Sequence, residues 1–361
     1  IPEFRLFQNG RHRQADRTAA VDHGEVAVRN QSHQRRLAMS QGIREEVFLR
    51  LQSGGLAGND LLAVGGSSSF LALWRRSQGS GFSRFGFPFS FTNLPVAEEE
   101  IKHPTEAFWK ALQSSVEKNG LLDRSFVYFV DEPKPTDFGW MKESLKKIRS
   151  FAPALKILGT LSYQQSFGGQ INLWCPNLVQ WNWGTFASPA QYLARREAGE
   201  DYWVYTSCNA HGCGGNPQDT SLPDLVTDRP AAFHRSFAWS AFHTKASGIL
   251  YYNTVEAYGS SDESPWHDPF IFGGNGEGNL FYPCSRASCG LDGLIVLPSL
   301  RLKSIRDGLE DVEILRIAEE AGFPARDWAK EVFRGVRSFA HNTESFERVK
   351  IKALEALDGK R

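Results

Sequence analysis

Residues 126–133 read Phe126-Val127-Tyr128-Phe129-Val130-Asp131-Glu132-Pro133, and how this octapeptide is read decides the fold. An apolar run of this length, rich in valine and aromatic side chains, is the pattern of a buried strand. Pro133 has no N–H to give a ladder and ends it. The two carboxylates therefore stand where a parallel strand opens into its loop, the place where barrel enzymes carry their chemistry. Adjacent strand residues point to opposite faces, so bringing Asp131 and Glu132 into one cleft needs a turn, which Pro133 is placed to force. Asp-Glu-Pro also suits an ordinary solvated loop start, and the octapeptide alone leaves both readings open.

Outward from this strand, the spacing predicts helices over 105–118, 137–150, 188–199, 230–245 and 300–321, with two more within 325–358. It predicts strands over 155–161, 172–176, 178–183, 202–207 and 248–253. Strand–helix alternation of this kind points to a parallel α/β sheet. A (β/α)8 TIM-like barrel takes about 250 residues, close to the span 81–321. Few clear strands precede Asp131, so the first barrel strands are expected to be incomplete or irregular and to come from residues 40–90. A helix over 43–52 and a strand or helix over 61–75 are candidates there, punctuated by Ser/Gly clusters. Lysine is absent until Lys102, and residues 5–45 hold no sustained period. Ile1-Pro2-Glu3-Phe4 resembles a vector junction. The expected division is a poorly ordered 1–40, a barrel domain over 41–321 and C-terminal helices over 322–361.

The chain of 361 residues is 41% hydrophobic and 23% charged, with 41 basic and 41 acidic residues. A balanced charge argues against nucleic acid or an anionic membrane as partner. No window approaches the roughly 18 apolar residues of a membrane span, and no signal peptide is visible at Ile1. Aromatic residues are frequent, with 10 Trp, 9 Tyr and 26 Phe. Five cysteines include two Cys-x4-Cys pairs, Cys208/Cys213 and Cys284/Cys289, with Cys175 left over. Local disulfides or buried thiols suit this spacing better than a zinc site. No metal and no cofactor are expected.

Several predicted strand ends carry groups suited to a sugar: Trp181-Asn182-Trp183, Tyr205, and Tyr251-Tyr252-Asn253 with Glu256. Aromatic faces hold a pyranose ring, amides and hydroxyls fix its hydroxyls, and a carboxylic acid protonates a leaving oxygen. His211 and His243 have no ligand partner at helical spacing and read as structural. The glycine-rich 273–279 stretch lacks the Lys-Ser/Thr ending of a phosphate loop. Arg301, Arg306, Asp307, Glu310 and Asp311 read as ion pairs anchoring the 300–321 helix.

The octapeptide resembles the strand and Asp-Glu pair of the glycoside hydrolase family 123 catalytic domain. Further segments are similar to that family in the same order. They are Ala152-Pro153-Ala154-Leu155-Lys156-Ile157-Leu158, Tyr202 through Cys208, Arg235-Ser236-Phe237-Ala238-Trp239 before Gly248-Ile249-Leu250-Tyr251-Tyr252, Asn275 through Pro283, and Pro298 through Asp311. Cys284 stands where the family usually has glycine, and Glu277 where it has aspartate. The resemblance covers about residues 81–316.

That resemblance implies a retaining exo-β-N-acetylgalactosaminidase in which the substrate's own 2-acetamido group is the nucleophile, an exception to the two-carboxylate scheme. It implies Glu132 as general acid/base and Asp131 as the group that orients the acetamide and stabilises the oxazolinium charge. Trp181, Trp183, Tyr205, Tyr252 and Asn253 are expected, by position, to contact a carbohydrate or glycoconjugate. Two alternatives stay open. One is a conventional retaining glycosidase with Glu132 as acid/base and Glu256 as nucleophile. The other is a non-catalytic carbohydrate-binding or truncated homologue.

Overall fold

A computed structural model of the chain describes residues 63–64, 92–94, 96–213, 221–254, 256, 266–271, 273–284, 290 and 295–359. The chain divides into two units, Ile1–Gly42 and Ile43–Arg361, and every described residue lies in the second. The expected helix over 43–52 and most of the expected element over 61–75 lie outside the described residues.

Seven parallel strands form one sheet. In chain order they are β1 (Ala63–Val64), β2 (Thr92–Asn93), β3 (Ser125–Asp131), β4 (Ile157–Thr160), β5 (Leu173–Trp174), β6 (Asp201–Thr206) and β7 (Gly248–Tyr251). Their spatial order is β1-β7-β6-β5-β4-β3-β2, so β2 to β7 lie side by side in sequence order and β1 returns beside β7. Parallel pairing requires crossovers: α1 (Glu98–Lys102) and α2 (Glu106–Lys118) join β2 to β3, α3 (Phe138–Phe151) joins β3 to β4, α4 (Pro189–Glu197) joins β5 to β6 and α5 (Ala231–Thr244) joins β6 to β7, while the β4–β5 connection carries a 3-10 turn over Gln165–Phe167. The α/β reading with a parallel sheet holds. Among the described residues, β1 and β2 remain the two edges.

The local reasons are ordinary. In α3, Met141, Leu145 and Ile148 fall at helical spacing and are buried. At α4, Ser188 and Gln191 form a capping box and Pro189 takes the first turn, where its missing N–H costs nothing. The segment 178–183, expected as a strand, is instead a 3-10 turn over Leu178–Gln180. Its cause is the Asn177 side chain, which accepts from the Val179 N–H at 3.1 Å and starts the turn.

The sheet has two apolar faces. Val127, Phe129, Ile157, Trp174, Tyr202, Val204, Ile249 and Tyr251 belong to the large core shared with the helices. Phe126, Leu158, Leu173, Cys175, Trp203, Tyr205 and Leu250 form a separate cluster, with Tyr128 packed against it. A sheet buried on both faces is what parallel strands require.

The rest of the chain braces this layer. Hairpins β8 (Phe270–Ile271) with β9 (Gly274–Asn275), and β10 (Phe281–Cys284) with β11 (Ile295–Pro298), follow β7. The long α6 (Leu300–Glu320) packs along α5, whose residues are buried nearly all round. After α6 come α7 (Ala325–Lys330), a hairpin of β12 (Phe333–Gly335) and β13 (Ser338–Phe339), and α8 (Thr343–Asp358). The two expected C-terminal helices are present, and the hairpin between them was not foreseen. Among the described residues, no helix is long and apolar enough to cross a membrane.

Candidate active site

Two local departures from regular strand geometry put both carboxylates of the octapeptide at one place. In the β3–β4 register, Tyr128 pairs with Leu158 and Val130 with Gly159, so β3 carries one extra residue. Such a bulge re-aims the side chains beyond it. Phe129 and Val130 both pack toward the helix-side core, and the alternation is reset. Asp131 therefore shares the face of Tyr128, whose hydroxyl donates to Asp131 Oδ1 at 2.9 Å. Gly159 accommodates the crowding: a Cβ there would sit 2.6 Å from Leu161 Cδ2. At Glu132, φ is +41°, a left-handed conformation that an L-residue adopts at a cost of about 1–2 kcal/mol. This turn, followed by Pro133, sends the Glu132 carboxylate across the sheet toward β6.

The carboxylates are held by hydroxyls. Thr160 Oγ1, at the end of β4, donates to Asp131 Oδ1 at 2.7 Å and accepts the Glu132 N–H at 2.9 Å. Tyr205 Oη, at the end of β6, donates to Glu132 Oε1. Tyr205 is itself fixed from β5: its N–H donates to Pro176 O at 3.2 Å, and the Asn177 amide donates to Ser207 Oγ at 2.8 Å. Burial, and then Asp131, holds the Tyr128 hydroxyl well above its ordinary pKa. Burial, and then Glu132, does the same for Tyr205. Both phenols therefore stay protonated donors at neutral pH. Cys175 lies buried beneath, a free thiol pushed up by burial and by Asp131. Asp131 and Glu132 are exposed at the rim while Thr160 and Tyr205 are buried. A rigid, apolar-backed floor thus presents two carboxylates to solvent at the carboxyl ends of the strands.

The model of the glycoside hydrolase 123 catalytic domain matches residues 85–318, which is well over half of the chain and includes this whole site. The chain belongs to glycoside hydrolase family 123. A solved structure of a family 123 glycoside hydrolase from Clostridium perfringens, described in terms of glycolipid glycan hydrolysis, is similar at 17% identity with a TM-score of 0.47. The likeness covers 74% of this chain and 45% of that one, so the chain spans under half of that structure's length. No curated protein matches the chain.

Within the family 123 domain, the other sequence candidates lie in different surroundings. Trp181 is buried in the helix-side core, stacked on Tyr192 (5.1 Å between centroids) and Tyr202 (6.0 Å). It lies on the opposite face of the sheet from Tyr205. Trp183 is 59% exposed, with the Arg337 guanidinium 4.7 Å from its ring centre. Asn253 donates through its amide to Glu256, and the Glu256 N–H donates to Gly278 O at 3.0 Å. Tyr252 packs on Tyr251 at 5.0 Å, and burial raises its pKa, with Tyr251, Glu277 and Glu256 adding to the shift.

A second polar cluster ties together the loops beyond β6 and β7. His211 stands between Asp224, with both oxygens at 3.2 Å, and Glu277 at 2.8 Å. Burial opposes a charge on the ring, but the bonds to Asp224 and Glu277 outweigh it and lift the His211 pKa to about 9. Glu277 is pushed up by burial and held down by His211. The loop that carries His211 is closed by a disulfide between Cys208 and Cys213. The Cys284 side chain and Cys289 lie outside the described residues. Arg301 was expected to make ion pairs. It instead donates to backbone oxygens of Leu225 (2.7 Å), Gly276 (2.5 Å) and Asn279 and to Tyr282 Oη (2.8 Å), pinning three loop segments. A buried guanidinium suits such carbonyl clusters because it offers five donors in a plane. Asp311 does pair, in a fork, with Arg235 at 2.6 and 2.7 Å.

Two residues of the site escaped the sequence reading, Tyr128 and Thr160. Tyr128 lay inside the quoted octapeptide, but pleat alternation set it apart from Asp131. Thr160 could have been found by the strand-end logic applied elsewhere, as the last residue of Ile157-Leu158-Gly159-Thr160.

Proposed function

We propose that this family 123 domain is a retaining, exo-acting β-N-acetylgalactosaminidase-like glycosidase that uses the substrate's 2-acetamido group as nucleophile. The catalytic unit is a (β/α)8-type barrel over residues 41–321, with the 322–361 segment packed against it. What supports the mechanism is the way the two carboxylates are bonded. Asp131 Oδ1 accepts two hydroxyl protons and Glu132 Oε1 accepts one. Asp131 Oδ2 and Glu132 Oε2, with no such hydroxyl partner among the described residues, are the oxygens turned to substrate.

In the first step the acetamido oxygen bonds to the anomeric carbon as the glycosidic C–O bond breaks. Glu132 Oε2 gives its proton to the leaving oxygen. Asp131 Oδ2 accepts the acetamide N–H, orients the carbonyl and stabilises the positive charge of the oxazolinium intermediate. In the second step Glu132 takes a proton from water as that water bonds to the anomeric carbon and the oxazoline opens. Two inversions give net retention. Tyr205 supports this division because it steadies Glu132 and leaves one oxygen for the shuttle. Trp183, Tyr252 and Asn253 are the further candidates for sugar contact, and Trp181 acts by packing. The Cys208–Cys213 disulfide fits an oxidising, extracytoplasmic compartment.

The test is turnover of an aryl N-acetyl-β-galactosaminide beside its gluco and non-acetylated counterparts. Glu132→Gln should lower kcat by at least about 10³-fold, the upper range for a lost general acid/base. Wild-type turnover by that variant would overturn the reading. Equal turnover of the non-acetylated substrate would favour the two-carboxylate scheme with Glu256 instead.

A further inference from the structure

We propose that Thr160 is a positioning residue that couples the two carboxylates, holding the Glu132 backbone in its left-handed turn while fixing which oxygen of Asp131 faces substrate. The inference rests on the reaction proposed above and adds to it a residue from the neighbouring strand. The Thr160 hydroxyl has one proton and accepts the Glu132 N–H at 2.9 Å. Its proton has two acceptors in reach, Asp131 Oδ1 at 2.7 Å and Val130 O at 3.3 Å. The shorter, charge-assisted bond prevails. Tyr128 Oη lies 3.3 Å from Thr160 Oγ1 and 2.9 Å from Asp131 Oδ1, so its proton also goes to Oδ1. One buried hydroxyl, 2% exposed, therefore joins a backbone donor and a side-chain acceptor from two consecutive residues.

The arrangement follows from register. Asp131 pairs with Thr160 in the parallel ladder, beyond the bulge, so the hydroxyl sits where both groups converge. The left-handed φ of Glu132 is unfavourable by itself and persists when its surroundings over-determine it. The Thr160 acceptor is one such restraint. A β-branched threonine is also stiff about χ1, which keeps the hydroxyl aimed. Valine preserves shape and stiffness but lacks both bonds. Serine keeps the bonds with a looser rotor.

The experiment compares Thr160→Val, Thr160→Ser, Glu132→Gln, Asp131→Asn and the Thr160→Val/Asp131→Asn double variant on the aryl N-acetyl-β-galactosaminide, with melting temperatures alongside. Thr160→Val should lower kcat about 30- to 100-fold, the scale of a catalytic group misplaced by about 1 Å, with KM within about threefold. Thr160→Ser should recover to within about fivefold of wild type. Because Thr160 acts partly through Asp131, its loss in the Asp131→Asn background should be several-fold smaller than in wild type, a coupling that a purely structural role would not produce. If Thr160→Val melts below the assay temperature, Thr160→Ala beside Thr160→Ser carries the same comparison. Inactive Glu132→Gln with Thr160→Val within threefold of wild-type kcat, or full additivity in the double variant, overturns the positioning role and leaves the reaction standing. Active Glu132→Gln overturns the reaction itself.

Discussion

At the scale of single residues, the site is built from hydroxyls under carboxylates. Tyr205 is the clearest instance. It sits at the end of β6 in the cluster with Cys175 and Trp203, and its phenol reaches a glutamate 73 positions earlier in the chain. Replacing it with phenylalanine keeps the packing and removes one donor. Steady-state kinetics of Tyr205→Phe should show kcat reduced about 10- to 100-fold, with stability within about 1 kcal/mol of wild type, the scale of one hydrogen bond. A kcat unchanged within twofold would show that Glu132 needs no such support. Asp131, Glu132 and Tyr205 were legible in the sequence because each ends an apolar run. Tyr128 and Thr160 were not, because a bulge is invisible to a period-2 reading. The His211 cluster was illegible for another reason: its partners Asp224 and Glu277 lie 13 and 66 residues away, at no helical or strand spacing.

At the scale of elements, most of the legible structure is helix. The 105–118, 137–150, 188–199, 230–245 and 300–321 segments were each expected within a residue or two at most ends. The three hairpins were missed, since strands of two to four residues leave too short a run for any period. The 178–183 segment was misread because its apolar residues suit a strand, while Asn177 starts a turn. The α5–α6 contact shows what composition alone hides. Gly308 lies in mid-helix, ordinarily unfavourable by about 1 kcal/mol relative to alanine. Here a Cβ would sit 2.2 Å from the carbonyl oxygen of Arg235, so glycine is what lets the two helices meet. The same contact carries the Arg235–Asp311 fork, with Trp239 Nε1 donating to Asp311 at 3.0 Å. Gly308→Ala should therefore destabilise by about 1–3 kcal/mol, the range for overpacking, despite its better helix propensity. Urea denaturation measures this, and an alanine variant at or above wild-type stability would contradict the close approach.

At the scale of the whole molecule, a parallel sheet sets the two carboxylates, and the loops beyond it are locked separately. The lock around His211 responds to pH in a defined direction. Its folded pKa of about 9 exceeds the ordinary value of about 6.5. Its contribution is therefore fully present below pH 6.5 and is lost as pH rises through about 9. Urea unfolding at pH 6.5 and pH 9.5 should differ by about 2–3 kcal/mol from this group. His211→Gln should lose that amount at pH 6.5 but little at pH 9.5, and an unaltered pH dependence in the variant would refute the assignment. The parallel α/β class was legible from strand–helix alternation; the pairing of β1 with β7 was not, since two-residue strands carry no pattern. The bulge in β3 has a further consequence for how such sites are found. Because Asp131 owes its direction to the register shift before it, the string Asp-Glu-Pro does not by itself encode two carboxylates in one cleft. The same residues paired without the bulge would spell the same letters and aim the aspartate into the helix layer. The candidate site is thus written partly in strand register, which the letters of the octapeptide do not spell.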